Sequence, residues 1–144
     1  MKKKYVIKLI VKRIDKTGCQ LMTSGKINGK RARFIIDTGA SQSVFDKKRM
    51  GYFLGHEEFE KSESNSAGLG TNTMESHLVL VPGLMIGDLE VSNEKMVLLD
   101  LSHVNESYSV LGFKPIDGVI GGDVLRRYRA LIDYEKKELV LRKK

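Results

Sequence analysis

The residues of this 144-residue chain best placed to do chemistry lie in Phe34-Ile35-Ile36-Asp37-Thr38-Gly39-Ala40-Ser41. Three apolar residues of strand character run straight into an acid. That approach delivers the Asp37 carboxylate to a dry floor, where neighbours rather than water set its pKa. Thr38 supplies a hydroxyl that can hydrogen-bond across the loop, and Gly39 allows a tight turn and leaves room for a ligand. A carboxylate presented in this way suits general acid-base work on a bound water.

A second element stands near the other end of the chain, in Ile116-Asp117-Gly118-Val119-Ile120-Gly121-Gly122-Asp123-Val124-Leu125. Two apolar residues and a glycine come immediately before a short helical run that Asp123 is expected to cap. Together the two elements resemble those of the retropepsin-like aspartic peptidases, the group of the retroviral proteases and their bacterial relatives. Each subunit there carries one Asp-Thr-Gly and one apolar-apolar-Gly. The landmarks follow in order over roughly residues 20–141.

The resemblance implies an all-β chain, one peptidase domain over residues 1–144, built as a closed β-barrel or acid-protease half fold with one short helix near the C-terminus. It makes Asp37 catalytic within an active-site loop of Thr38, Gly39, Ala40 and Ser41. Thr38 would brace two such loops across a dimer axis, and Gly39 and Ser41 would lie along a bound peptide. Val119, Ile120 and Gly121 would pack behind the loop that carries Asp37. Residues 61–74, polar and small, fall where the family places a flap over the peptide, with Gly68, Leu69, Gly70 and Thr71 at the substrate; a plain surface loop is the alternative reading. The retroviral enzymes carry an acid in place of Ser41 and an Arg in place of Gly122, so the bacterial type is the nearer match.

Peptide hydrolysis by this route needs two carboxylates facing one water. Asp117 lies inside the turn before the apolar-apolar-Gly without a following Thr, and Asp133 lies in Leu131-Ile132-Asp133-Tyr134, which reads as an ordinary strand. With no internal duplication to supply a second half-site, the family reading requires a homodimer in which Asp37 meets its own copy on a two-fold axis. The substrate is then a peptide or protein, with no metal and no cofactor. The competing reading is a non-catalytic module of the same fold, kept for dimerisation or peptide binding.

Composition narrows the alternatives. The net charge is +7, but Lys2, Lys3, Lys4, Arg142, Lys143 and Lys144 contribute six of those charges, so one remains for the body. Solvated basic tails are expected, with no nucleic-acid footprint, since neither aromatic interleaving nor a basic helix face accompanies the charge. Steering of acidic substrates stays open. Such tails would also repel one another in an interleaved terminal sheet. Residues 5–12 are interrupted by Lys8 and read as a strand rather than a signal peptide, and no stretch is long and apolar enough to span a membrane. One cysteine, Cys19, excludes an internal disulfide framework, and a cytoplasmic location is the simplest expectation. His56, His77 and His103 have no carboxylate or Cys at ligand spacing. Asn105-Glu106-Ser107 is a glycosylation sequon that would matter only in a secretory pathway.

The elements that must position Asp37 are short strands and turns. Residues 20–27 and 30–36 form a hairpin about Asn28-Gly29, a pair that tolerates positive φ at both central positions. Residues 44–50 suit either a helix or a strand. Strands are expected at residues 77–82, 84–91 and 94–99, and a last hairpin joins 131–134 to 138–141.

Overall fold

The computed structural model describes residues 2–61, 75–92 and 95–144. In chain order the elements are β1 (Lys3–Lys8), β2 (Ile10–Arg13), β3 (Cys19–Ile27), β4 (Lys30–Ile36), β5 (Val44–Asp46), α1 (Lys47–Leu54), β6 (Glu60–Lys61), β7 (His77–Leu80), β8 (Met85–Ile86), β9 (Leu89–Glu90), β10 (Lys95–Leu99), α2 (Ser102–Val110), β11 (Gly118–Ile120), α3 (Gly122–Arg127), β12 (Leu131–Asp133) and β13 (Glu138–Lys143). The architecture is mostly β, with three helices among the described residues where one was expected.

The Asn28-Gly29 turn forms as its chemistry requires, with φ of 51° and 79° at the two central residues, and it sets the β3–β4 register from Ile27↔Lys30 to Met22↔Ile35. On its other edge β4 pairs in parallel with β11, Val119 opposite Ile35 and Ile120 opposite Ile36. β11 in turn pairs with β5, and β5 with β10. The described ladder runs from β6 to β9, with β2 alongside β3. Among the described residues its two ends do not pair with each other, so the mostly β, retropepsin-like fold is seen there without closure into a barrel.

Alternation along β4 divides the interior in two. Ala32, Phe34 and Ile36 point into the main core, where Phe34 meets Phe45 edge-to-face at 6.2 Å between ring centres. Ile35 points the other way, into a second cluster of Met22, Leu99, Leu101, Tyr108 and Ile116. The second cluster exists because α2 lies over that face. Residues 102–110 carry no apolar periodicity strong enough to announce a helix, and the expectation passed over them.

The ambiguous stretch at residues 44–50 is both things in turn. β5 ends at Asp46, whose extended backbone and side chain cap α1 through the Lys48 N–H, and α1 stops at Gly55 in the left-handed region (φ 80°). The basic chain ends are strands rather than solvated tails. β1 pairs with β13 within one chain, Lys3 opposite Lys143 and Lys4 opposite Arg142. Tyr5↔Leu141 and Ile7↔Leu139 hold these strands together by turning inward onto the core, which outweighs two exposed like-charge pairs worth a few tenths of a kcal/mol to about 1 kcal/mol each. No helix of the described residues is long and apolar enough to cross a membrane.

Candidate active site

Asp37 stands where the β4–β11 ladder ends. Its backbone N–H donates to Ile120 O at 3.0 Å, one step beyond the last strand pair. The chain then turns on itself, with Ala40 N–H donating to Asp37 O at 3.2 Å and Gly39 N–H donating to the Asp37 Oδ1 at 2.9 Å. A side chain on Gly39 would bring its Cβ to 3.3 Å from that same oxygen. The glycine therefore keeps the carboxylate uncrowded while lending it a backbone donor. Asp37, Thr38, Gly39 and Ser41 are exposed in the single chain and Ala40 is half-buried, so the dry floor expected around Asp37 is absent there. The apolar residues before it are buried, but the acid projects beyond them. Among the described residues Thr38 offers its hydroxyl to no partner within the chain.

The loop is anchored from behind. Gly122 N–H donates to Ala40 O at 2.7 Å, and the Gly121 N–H donates to Ser43 Oγ at 2.9 Å. A Cβ on Gly121 would lie 2.6 Å from Ala40 O and 3.0 Å from the Gln42 backbone, so no other residue permits this approach. Ser43, 1% exposed, also donates its hydroxyl to Asp123 Oδ1 at 2.7 Å and its N–H to the same oxygen at 3.0 Å. That corrects the expected role of Asp123. α3 starts two residues earlier, with Gly121 at its N-cap and no side-chain cap, and the Asp123 carboxylate ties the helix to the loop after Ser41. Val119 and Ile120 sit in β11 beside Ile35 and Ile36. The structure thus brings Asp37, Ala40, Val119, Ile120 and Gly121 together. Gly68, Leu69, Gly70 and Thr71 lie outside the described residues; β6 and β7, on either side of residues 62–74, pair antiparallel.

Two further groups near the site were invisible in the sequence. Tyr108 of α2 is buried against Ile35, and its phenol pKa is raised, first by burial and then by the Asp37 charge nearby. Asn105, the sequon residue, is spent internally. Its Oδ1 accepts from Ile116 N–H at 2.8 Å and its Nδ2 donates to Ile116 O at 3.2 Å, which holds α2 against the segment entering β11. Only the folded topology joins these positions.

The other carboxylates of this region are committed. Asp117, 3% exposed, accepts from the Arg33 N–H at 2.8 Å and pairs with the Arg49 guanidinium. Asp46, 2% exposed, accepts from Leu101 N–H at 3.1 Å as well as from Lys48 N–H. Burial pushes the Asp46 pKa up, and these backbone donors partly offset that. Neither acid can serve as an internal partner for Asp37.

An apolar strand ending in an exposed Asp-Thr-Gly loop, backed by a parallel apolar-apolar-Gly strand, defines the retropepsin-like class of aspartic peptidase. The aspartyl protease family model matches residues 23–124, and the chain belongs to that family. By sequence alone it matches no curated protein at a significant level. Solved structures agree on the fold. A retropepsin-like aspartic protease from Rickettsia conorii superimposes with a TM-score of 0.58 at 19% identity, covering 99% of this chain and 90% of that one. The retroviral protease-like domain of Ddi1 from Leishmania major gives 0.57 at 15% identity, covering 85% and 87%. The EIAV protease in complex with the inhibitor HBY-793 gives 0.51 at 17%, covering 79% and 92%.

Proposed function

We propose that this protein is an aspartic endopeptidase that works as a homodimer, with the Asp37 carboxylates of two copies sharing one water. The observation that carries this reading is the contrast at Asp37 itself. The loop around it is fixed by backbone bonds on both sides, yet its carboxylate is exposed and, among the described residues, has one intrachain donor, from Gly39. An exposed acid on a fixed loop, beside a Thr38 whose hydroxyl has no partner among the described residues, fits a surface completed by a second copy.

Two carboxylates within hydrogen-bonding distance cannot both ionise cheaply, so the pair holds one shared proton, and its two apparent pKa values belong to the pair. The unprotonated copy takes a proton from the water as it attacks the scissile carbonyl. The protonated copy stabilises the developing oxyanion and passes its proton towards the leaving nitrogen. In this scheme Thr38 braces the paired loops, Gly39 and Ser41 lie along the peptide with Ala40 between them in the loop, and Val119, Ile120 and Gly121 support the loop. Gly68, Leu69, Gly70 and Thr71 are proposed for the lid, and the chain as a single domain.

The test is cleavage of a mixed peptide library at several acidic pH values, run beside sedimentation across micromolar concentrations, for the wild type and Asp37→Asn. Cleavage by a dimer, lost in a variant that still folds and dimerises, supports the reading. Cleavage that persists in Asp37→Asn refutes the mechanism, and a folded dimer without cleavage points to the non-catalytic binding module.

A further inference from the structure

The charge left after the chain ends is small in sum but concentrated in space. On the face of β4 opposite the main core, Arg31 and Arg33 alternate with buried Ala32 and Phe34. Across the hairpin Lys26 stands opposite Arg31, and Ser24 opposite Arg33. Like charges placed directly opposite one another destabilise a sheet, so the fold gains nothing from this arrangement. Among the described residues no acid lies within ion-pair distance of Lys26, Arg31, Arg33 or Lys114.

Two adjoining clefts run along this face and share Ser24, Arg33 and Lys114. One, of about 650 Å³, is lined by Lys26, Arg31 and Arg49 as well. The other, of about 280 Å³, adds Lys12 and the apolar side chains of Ile10, Met22 and Phe113. The acids that line them are Asp88 and Asp117, and Asp117 is already spent on Arg33 N–H and Arg49. Five cations therefore face one free carboxylate. The apolar end is capped by Lys12, whose Nζ lies 5.3 Å from the centre of the Phe113 ring. That ring is occupied, which leaves no open aromatic platform for nucleic-acid bases.

We propose that this groove docks an acidic segment of the protein substrate, at a distance from the cleavage point. The proposal rests on the peptidase reading, because it uses the position of Asp37 on the same strand. Arg33 and Arg31 precede Asp37 by four and six residues, or about 13 and 20 Å at ~3.3 Å per strand residue. With the flanking peptide running back along β4 in extended form, whose rise is nearly the same, Asp or Glu residues four to six positions from the scissile bond would meet the basic groove.

The experiment compares two peptides with one cleavage core, flanked at those positions by Glu or by Gln, against wild type and the triple variant Lys26→Gln, Arg31→Gln, Lys114→Gln. The expected result is a KM for the Glu peptide that rises about three- to tenfold in the variant, with kcat and the kinetics of the Gln peptide unchanged, the size expected for a few exposed ion pairs. An unchanged KM ratio in a variant with wild-type melting behaviour overturns the proposal. Fluorescence anisotropy of the labelled Glu peptide on Asp37→Asn chain gives a readout free of catalysis. Binding that weakens with the groove substitutions, while the wild-type chain cleaves neither peptide, keeps the docking site and removes the peptidase. Tighter binding of a mixed-sequence oligonucleotide than of the Glu peptide at equal charge and salt also overturns it.

Discussion

Asp37 and Asp117 stand at opposite ends of the β4–β11 ladder, flank paired apolar stretches, and live in opposite circumstances. Asp117 is buried, holds the Arg33 N–H and pairs with Arg49; Asp37 is exposed and accepts from Gly39. A buried carboxylate persists only when its oxygens are satisfied, and such an acid is structural. An exposed acid on a loop locked from behind has free oxygens and a fixed position, which is what proton transfer requires. The difference separates chemistry from architecture more reliably than the Asp-Gly dipeptide at Asp117 or the Asp-Thr-Gly at Asp37 does alone.

Substitution should split the two acids cleanly. Asp37→Asn is expected to lower kcat/KM by roughly 10²–10⁴-fold without moving the thermal midpoint, as read by peptide cleavage and calorimetry. Asp117→Asn should do the reverse, costing about 1.5–3 kcal/mol of stability through a weakened charged hydrogen bond, measured by urea unfolding, while the fraction that still folds keeps its pH profile. Ser43→Ala probes the connection between loop and support. It leaves the buried Gly121 N–H without its acceptor, and a loss of about 1–2 kcal/mol should accompany a fall in kcat, because the loop bearing Asp37 loses a tie to α3.

The smallest effect concerns pH. His77 in β7 is 8% exposed, and its Nδ1 has no partner among the described residues. Burial and then the Lys47 charge hold its pKa below the ordinary 6.5. On acidification the unfolded chain takes up this proton first. Stability is therefore intact above the ordinary value and falls as pH descends through 6.5 towards the lowered folded value. His77→Gln should flatten that limb in melts recorded between neutral and acidic pH. Asp46 has the opposite sign. With its folded pKa raised, stability declines as pH rises from the ordinary carboxylate range to the raised value, and Asp46→Asn should remove that slope.

What could be read from the sequence was local chemistry. Asn28-Gly29 announced its turn, Phe34 to Ile36 announced a strand, and Gly121 marked the close approach that its missing Cβ permits. What escaped depended on distant partners. α2 offers only the short stripe of Leu101, Val104 and Tyr108, which packs on the second cluster with Ile35, and is held by Asn105 against Ile116. Ser43 looks like any loop serine until α3 places Asp123 over it. Residues 5–12 and 138–141 were legible as strands, but the basic residues beyond them read as tails because charge dominated there; the pairing of β1 with β13, which has no local signal, draws Lys3, Lys4, Arg142 and Lys143 into the sheet. The basic groove escaped for the same reason, since net charge sums over faces that the hairpin separates.

The central claim is that one active site needs two chains. Isothermal titration with a statine-type transition-state mimic measures this directly. Half a molecule of inhibitor bound per chain, abolished in Asp37→Asn, is the expected result. One inhibitor per chain, or saturable binding that survives loss of the Asp37 carboxylate, would contradict it.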